Sequence, residues 1–160
     1  MKKSALALAA ALLLLTACDS MSNADGSAGG AGAGGAGTGS GILGQAADGS
    51  SITDRVYFAT DSSVVDSEGQ SALDRQAAWL KGNESVNVTL EGHADERGTR
   101  EYNIALGERR ATAAKNYLVG QGIAAGRIST ISYGKERPAA TGNEEGTWSQ
   151  NRRAVTVIAN

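Results

Sequence analysis

Two charged side chains, a carboxylate and a guanidinium, are the residues of this 160-residue chain best suited to binding a small polar group. Asp95 follows a stretch of alternating apolar and polar residues, and Arg110 lies inside a later stretch with helical periodicity. A carboxylate and a guanidinium held apart on a rigid frame can bind the ammonium and the carboxylate of one zwitterion. The same two side chains could instead form a plain ion pair that closes a loop onto a helix. Spacing alone leaves both interpretations open.

The stretch before Asp95 is predicted to be a strand followed by a polar loop. Val86, Val88 and Leu90 alternate with polar residues, which is the period of two expected of a half-buried strand. Residues 92–98 are too rich in glycine and charge to continue that strand. Asp95 is therefore expected where the strand gives way to the loop.

A long helix is predicted to begin near Tyr102 and to stop at Gly120, where glycines follow the last periodic residue. Asn103, Leu106 and Arg110 are separated by intervals of three and four residues, so they fall on one face of this helix. We expect that face to look back toward the loop that carries Asp95.

Four segments, VYF, GHADERGTREYNIALGERRA, SYGKERP and NRRAV, occur in this order along the chain. Together they resemble the C-terminal domain of OmpA-like proteins, most closely its peptidoglycan-associated lipoprotein branch, over about Ile52 to Ile158. The resemblance implies non-covalent binding of the peptide stem of peptidoglycan, with meso-diaminopimelate as the recognised residue. On the matching positions it assigns the key aspartate to Asp95 and the key arginine to Arg110. Asn103 and Thr99 are assigned supporting roles.

Further residues are expected to complete such a site. Leu106 would supply an apolar contact, and the end of the first predicted strand would form the opposite wall through Phe58, Thr60 and Asp61. Proteins of the lipoprotein branch often carry Phe-Asp where this chain has Phe58 followed by Ala59. One polar contact to the ligand is therefore expected to be missing or to be supplied by Thr60 and Asp61.

Residues 1–17 are typical of a lipoprotein signal peptide. Two lysines precede an apolar run of eleven residues, which is too short to span a bilayer as a helix. Leu15 to Cys18 resembles a lipobox, so Cys18, the only cysteine, is expected to be acylated. The alternative is an ordinary secretory signal that ends near a cysteine. Asp19 resembles the inner-membrane retention signal of enteric bacteria, yet the prediction is an outer-membrane anchor with its domain facing the periplasm.

Composition divides the remaining chain into a tether and one folded domain. Residues 18–51 are rich in glycine, alanine and serine, a composition that predicts a disordered tether. Residues 52–160 are enough for one ordinary domain with its own core. Strands alternate with helices in this part, which predicts an α+β two-layer sandwich. A mixed four-stranded sheet is expected, with helices on one face, in the order β-α-β-α-β-(short α)-β.

Charge and composition limit the classes of function. The 15 basic and 17 acidic residues nearly balance, and only 4% of residues are aromatic, so no nucleic-acid partner is predicted. One histidine and one cysteine leave little material for a metal site or a nucleophile, so no cofactor or metal is predicted. Glu91, His93, Asp95 and Glu96 do form a dense polar cluster, and paired carboxylates can hydrolyse glycosides. A wall hydrolase is therefore the weaker alternative to a non-enzymatic binding protein.

The resemblance implies a non-catalytic anchor of the Tol-Pal system that acts in envelope integrity and in constriction at cell division. The implied partners are peptidoglycan, bound through its diaminopimelate, TolB with the other Tol-Pal components, and a membrane held through acylated Cys18. A wall-binding OmpA-like lipoprotein outside the Tol system is an alternative. A motor stator is disfavoured, because stators of this family need a true transmembrane helix.

Overall fold

The computed structural model describes residues 41–159. The predicted signal peptide, Cys18 and most of the predicted tether lie outside these residues. Within 41–159, no helix is long and apolar enough to cross a membrane. The elements, in chain order, are β1 (Ile42–Gln45), β2 (Ser51–Thr53), β3 (Arg55–Tyr57), α1 (Ser67–Gly82), β4 (Asn87–His93), α2 (Arg100–Gly120), a 3-10 turn (Ala125–Arg127), β5 (Ile128–Gly134), α3 (Glu145–Asn151) and β6 (Arg153–Ala159).

The main sheet has four strands in the spatial order β3-β6-β4-β5. Strand β4 pairs in parallel with β5, whereas β6 runs antiparallel to both of its neighbours, β3 and β4. The last strand is thus inserted between the first and second strands of this sheet. This arrangement confirms the predicted α+β architecture with a mixed four-stranded sheet.

One core lies between this sheet and helices α1 and α2. In β4, Val88 and Leu90 face the helices, as the alternating pattern predicts, while Thr89 and Glu91 lie on the other face of the sheet. The core is built from apolar side chains of every strand of this sheet and of both long helices. They are Val56, Phe58, Ala72, Leu73, Ala77, Leu80, Val88, Leu90, Ala111, Ala114, Leu118, Ile123, Ile128 and Ala154.

Both long helices begin at a side-chain cap. The carboxylate of Asp66 accepts a hydrogen bond from the Gly69 N–H at 2.8 Å and starts α1. The hydroxyl of Thr99 accepts one from the Tyr102 N–H at 3.2 Å, so α2 starts two residues earlier than predicted. The cap fixes the point at which the polar loop after β4 becomes helix.

Helix α2 approaches β4 so closely that only glycine fits at the contact. A Cβ atom on Gly92 would lie 1.9 Å from the carbonyl oxygen of Gly107, and one on Gly107 would lie 2.8 Å from the carbonyl oxygen of Gly92. Two backbones therefore touch directly, without side chains between them. This contact fixes the helix that carries Asn103 and Leu106 against the strand that leads to Asp95.

A hairpin of β1 and β2 precedes the main sheet and corrects the predicted domain boundary. Ile42 pairs with Thr53 and Gln45 with Ser51, and Leu43 is buried. The prediction that all of residues 18–51 lack packing is wrong for Ile42–Gln45. Few apolar contacts suffice here because Gly44 lets β1 lie directly against the indole of Trp79. A Cβ atom at Gly44 would lie 2.5 Å from Nε1 of that ring.

Candidate functional site

A pocket of about 230 Å³ opens where the loops after β3 and β4 meet the first turns of α2. It is lined by Thr60, Asp61, Asp95, Arg97, Gly98, Tyr102, Asn103 and Leu106. Five of these residues, Thr60, Asp61, Asp95, Asn103 and Leu106, were expected at the site from the sequence. Arg110, Phe58 and Thr99 were also expected there, and the pocket lining does not include them.

The carboxylate of Asp95 is held by Arg97, two residues further along the chain. Arg97 donates from Nε to Oδ1 at 3.1 Å and from Nη2 to Oδ2 at 2.6 Å, and its backbone N–H donates to Oδ1 at 3.1 Å. Arg152 Nη1 lies 3.6 Å from Oδ2. Burial alone would raise the pKa of Asp95, but the hydrogen bonds from Arg97 and the charges of Arg97 and Arg152 outweigh it and keep the pKa below 3.8. Asp95 is therefore an ionised carboxylate at neutral pH.

The loop that carries Asp95 and Arg97 is held in place by hydrogen bonds from other side chains to its backbone carbonyls. Asn103 donates from Nδ2 to the Arg97 carbonyl at 2.7 Å, and Lys135 donates from Nζ to the carbonyls of Glu96 and Gly98 at 3.0 and 2.8 Å. Gly98 adopts a φ of 85°, a conformation that glycine reaches without strain. Asn103 thus holds the loop while also lining the pocket.

Arg110 lies behind the pocket wall rather than in the pocket. Its side chain is fully buried, and it donates from Nε to the Ser62 carbonyl, from Nη1 to the His93 carbonyl and from Nη2 to the Ala59 carbonyl. Burial lowers the pKa of Arg110 to about 10, and the charge of Asp95 offsets only part of that shift. The guanidinium hydrogen bonds of Arg110 all go to backbone carbonyls, and the ion pairs of Asp95 are with Arg97 and Arg152, so Asp95 and Arg110 do not pair directly. Arg110 instead holds the segment that carries Thr60 and Asp61.

The other two residues outside the lining have structural contacts. Phe58 is buried in the core, with its ring centroid 5.4 Å from the guanidinium carbon of Arg110, and its carbonyl accepts a hydrogen bond from Arg152 Nε. Thr99 caps α2 through its hydroxyl. Each supports an element that borders the pocket, which is a role the sequence alone did not distinguish from ligand contact.

Three lining residues, Arg97, Gly98 and Tyr102, were not among the site residues expected from the sequence. Tyr102 donates a hydrogen bond from its hydroxyl to Asp61 Oδ1 and so joins the two walls of the pocket. It precedes Leu106 by one helical turn, a spacing that places both on one face and could have identified it. Arg97 carried no such signal, because the contact between residues two apart depends on how the loop turns.

An aromatic side chain lies beside the Asp95–Arg97 pair. The guanidinium carbon of Arg97 is 4.2 Å from the ring centroid of Trp148, on α3, and Trp148 Nε1 donates to Glu96 Oε1 at 3.1 Å. Arg152, at the end of α3, donates from Nη2 to Glu145. Helix α3 therefore also borders the loop of Asp95.

The polar cluster seen in the sequence is split between two places. Glu91 and His93 are not part of the pocket lining; His93 Nε2 lies 3.8 Å from Glu91 Oε2. Burial, together with the charges of Arg153 and Arg137, lowers the pKa of His93 to about 3, so its imidazole is neutral at pH 7. Burial raises the pKa of Glu91. Within residues 41–159, no three His, Cys, Asp or Glu side chains are grouped to hold a metal ion.

The charges of the pocket suit a ligand that carries a cationic group with an anionic group close to it. Asp61 and Asp95 supply two carboxylates, and Arg97 is the one arginine in its lining. An ammonium can accept no hydrogen bond but can donate three, so carboxylate oxygens are suitable partners for it. The polar walls and the apolar side chain of Leu106 leave room for an aliphatic chain carrying such a group.

Comparison with known proteins points to one family. A model described as the OmpA family matches residues 57–152. The peptidoglycan-associated lipoprotein of Rhizobium meliloti (strain 1021) is 55% identical over 107 residues, which are 67% of this chain and 61% of that protein. That of Brucella melitensis biotype 1 is 50% identical over 121 residues, 72% of each chain. This chain thus spans less than two thirds of the length of the Rhizobium relative.

A solved structure agrees with these relatives. The crystal structure of the peptidoglycan-associated lipoprotein from Burkholderia pseudomallei superposes with a TM-score of 0.65 at 40% sequence identity. The match covers 67% of this chain and 91% of that chain. The fold of the matched part is therefore shared with an experimentally determined structure.

Proposed function

Because this chain belongs to the OmpA family, we propose that it binds the peptide stem of peptidoglycan non-covalently in the pocket around Asp95. The observation that carries the proposal is that one pocket gathers five of the residues expected to contact that ligand. Its relatives named peptidoglycan-associated lipoproteins support the same ligand class. The proposal is for a binding protein and not an enzyme.

The ligand group is the free end of diaminopimelate, which carries an ammonium and a carboxylate on one carbon. Asp95 accepts hydrogen bonds from the ammonium, and Asp61 adds a second negative charge on the opposite wall. Leu106 packs against the aliphatic chain of the ligand, and Asn103 holds the loop beneath it. Arg110 contributes by fixing the wall that carries Thr60 and Asp61.

A lipid anchor would hold the domain near the wall. Acylation of Cys18 after removal of residues 1–17 would fix the chain in the outer membrane with the domain in the periplasm. With the hairpin folded, the segment predicted to be the tether is reduced to about residues 19–41. A Gly-rich segment of that length has an r.m.s. span of about 25 Å and a stretched limit of about 80 Å. Tethering raises the local concentration of peptidoglycan around the domain, so a binding site of low affinity can still be occupied.

Within the cell, the proposed setting is the Tol-Pal system, where the anchor would act in envelope integrity and in constriction during division. TolB is then a partner that should bind the domain in competition with peptidoglycan. A pull-down of TolB with the full-length protein tests this setting. Wall binding without TolB binding would favour an OmpA-like lipoprotein outside the Tol system.

The test of wall binding is co-sedimentation of the full-length protein with sacculi that contain diaminopimelate. Asp95→Asn should weaken binding at least about ten-fold, because a charge-assisted hydrogen bond contributes about 1.5–3 kcal/mol. Glu84→Gln is the matched control, since it removes an exposed carboxylate that is not part of the pocket lining. Equal sedimentation of Asp95→Asn and the unmodified protein would contradict the proposal.

The hydrolase alternative has its own readout. Sacculi incubated with the protein should release no new reducing sugar ends. Release that disappears in Glu91→Gln or Glu96→Gln would instead support an enzyme.

A further inference from the structure

A second pocket lies at the end of β3, beside the pocket around Asp95, which we call the stem pocket. Its volume is about 390 Å³, which is within the range of about 300–1,000 Å³ typical of small-molecule sites. We call it the β3–α3 pocket, because most of its lining comes from the end of β3, the residues that follow it, and α3. The lining consists of Tyr57, Phe58, Ala59, Asp66, Ser149 and Gln150.

Two chain segments connect the β3–α3 pocket to the stem pocket. Ala59 lines the β3–α3 pocket, and the next residue, Thr60, lines the stem pocket. On α3, Ser149 lines the β3–α3 pocket, while the ring centroid of Trp148 lies 4.2 Å from the guanidinium carbon of Arg97 in the stem pocket. The two pockets are therefore neighbours, and one ligand of modest length can occupy both.

The wall between the two pockets is fixed by hydrogen bonds. The Phe58 N–H donates to the Arg152 carbonyl at 2.9 Å, and Arg152 Nε donates to the Phe58 carbonyl at 3.1 Å, so the end of β3 is joined to the end of α3. The Ala59 carbonyl accepts from Arg110 Nη2 at 3.1 Å. The β3–α3 pocket is thus already formed in the ligand-free protein, and little conformational entropy is lost when a ligand binds.

The two pockets differ in charge, and the difference indicates what each one binds. The stem pocket contains Asp61, Asp95 and Arg97, whereas the described lining of the β3–α3 pocket includes no lysine or arginine. Its one carboxylate, Asp66, caps α1 by accepting from the Gly69 N–H. An anionic ligand group has no partner in this lining, and the carboxylate is already engaged. An uncharged ligand group therefore fits the β3–α3 pocket best.

The other side chains of the lining suit a saccharide. Tyr57 is 46% exposed and points away from the core, because its neighbours Val56 and Phe58 are buried there. The face of a sugar ring carries C–H groups that pack against an aromatic ring, and the rim of the sugar carries hydroxyls. Ser149 and Gln150 offer a hydroxyl and an amide, each of which can donate and accept hydrogen bonds. An uncharged polyol needs this combination of aromatic surface and neutral polar groups.

We propose that the β3–α3 pocket binds a saccharide of the glycan strand to which the stem peptide is joined. The inference rests on the proposed function, because the stem bound in the neighbouring pocket brings the glycan to this one. Two residues of the stem separate the sugar from diaminopimelate, and they span up to about 7 Å when extended. The backbone from Ala59 to Asp61 is also two residues long, so one ligand can reach from one pocket to the other.

The test compares two ligands that share the same tetrapeptide stem with diaminopimelate. One is the tetrapeptide with its amino end acetylated, and the other carries the disaccharide of N-acetylglucosamine and N-acetylmuramic acid at that end. Neither has a charged amino end, so the two differ in the saccharide. Calorimetric titration of the full-length protein should show the disaccharide peptide binding about ten-fold more tightly, the effect of one or two neutral hydrogen bonds.

Removing the saccharide contacts should remove this preference. Tyr57→Val takes away the ring at a strand position, and Gln150→Ala takes away the amide at a helix position, and each new residue favours its element. In the double variant the preference should fall to within about two-fold. The affinity for the acetylated tetrapeptide should stay unchanged, which also shows that the stem pocket is intact. Gln70→Ala is the control, because Gln70 is an exposed glutamine of α1 that belongs to neither lining.

A second readout locates the saccharide without any substitution. In amide NMR spectra of the full-length protein, the disaccharide peptide should shift the signals of Ala59 and Gln150 more than the acetylated tetrapeptide does. Both ligands should shift the signals of Gly98 and Asn103 equally, because these residues line the stem pocket. Equal shifts of the Gln150 signal with the two ligands would place the saccharide elsewhere and overturn the proposal.

A second peptide stem is the competing occupant, because stems are cross-linked to one another in the wall. The third ligand is therefore a sugar-free dimer of two cross-linked stems with acetylated amino ends. It should bind no more than about two-fold more tightly than the single stem. A gain as large as that of the disaccharide peptide, lost in the double variant, would make the β3–α3 pocket a peptide site and overturn the proposal.

The outcomes separate this inference from the function on which it rests. An unmodified protein that binds none of the ligands would overturn both. Equal affinities for the disaccharide peptide and the acetylated tetrapeptide would overturn the saccharide site alone and keep the wall-binding function. A preference for the disaccharide peptide that survives in the double variant would do the same.

Discussion

The loop around Arg97 and the interior around Arg110 use the same side chain in two different ways. Arg97 is partly exposed and pairs with a carboxylate, Asp95, that a ligand can also reach. Arg110 is fully buried and donates to the carbonyls of Ala59, Ser62 and His93. A ligand cation could replace Arg110 at these carbonyls only if the backbone segments that carry them moved. The comparison indicates that exposure and the type of partner decide whether an arginine can serve a ligand.

The largest expected effect breaks the buried side of this comparison. Arg110→Gln should lower the free energy of unfolding by about 3 kcal/mol or more, because several buried carbonyls lose their donor at once. The exposed neighbour gives the matched control, and Arg109→Gln should change the free energy of unfolding by no more than about 0.5 kcal/mol. Urea unfolding followed by circular dichroism measures both.

A loss in Arg110→Gln no greater than that in Arg109→Gln would show that Arg110 is not structural. It would also restore Arg110 as a candidate for direct ligand contact, as the sequence analysis expected. Binding measurements on Arg110 variants are informative only at temperatures where the variant is folded.

The next effect concerns the contact between Gly92 and Gly107, which holds α2, the helix that carries Arg110, against β4. Gly92→Ala should destabilise the protein by about 2–3 kcal/mol, because the new Cβ meets the backbone of Gly107 and not a side chain that can turn away. Gly126→Ala is the control, since a Cβ at Gly126 meets nothing within 4 Å. Similar melting temperatures for the two variants would mean that α2 can shift away from β4 at little cost.

A pH-dependent effect of similar size arises at His93, whose carbonyl accepts from Arg110 Nη1. The folded imidazole has a pKa of about 3 and the unfolded one about 6.5, so below pH 6.5 the unfolded chain binds a proton that the folded chain does not. The free energy of unfolding should therefore fall by up to ~2 kcal/mol between pH 7 and pH 5 from this residue alone.

His93→Gln should remove this component, since the chain has no other histidine. Urea titrations at both pH values, with and without the substitution, isolate it from the carboxylates. An identical pH dependence in the two proteins would show that the folded state accommodates a charged imidazole.

The smallest expected effect on stability lies on the exposed side of the comparison. Arg97→Gln should leave the urea midpoint close to that of the unmodified protein, because Arg97 is solvent-accessible and Arg152 still lies near Asp95. A large drop in the urea midpoint would place Arg97 in the same structural class as Arg110 and end the contrast.

The sequence predicted the strand, loop and helix around Asp95 because their periodicities are strong and local. Asn103, Leu106 and Arg110 do share one buried face of α2, as their spacing indicates. The sequence could not show that the segment from Ala59 to Ser62, about fifty residues earlier, folds over that face and covers Arg110. Long-range packing thus determined that Asn103 and Leu106 line the pocket and that Arg110 does not.

The hairpin and Arg97 were missed for different reasons. Glycine-rich composition predicts no packing, yet β1 needs only Leu43 and the close approach at Gly44 to lie against Trp79. The pair of Asp95 and Arg97 depends on loop dihedral angles that periodicity does not describe. Both failures lie where one or two contacts, and not a repeated pattern, determine the structure.

The β1–β2 hairpin also has a mechanical consequence. Tension applied at Gly41 would pull β1 away from β2 one hydrogen bond after another, which is the weakest way to load a pair of strands. The peeling would meet resistance at β2, where the Thr53 carbonyl accepts from Gln76 of α1 and the Asp54 carbonyl accepts from the Thr156 N–H. Up to that point the chain would lengthen by roughly 40 Å while the four-stranded sheet stays folded. With the domain anchored to membrane and wall as proposed, a sudden strain between the two would be absorbed by extension before it could reach the pocket.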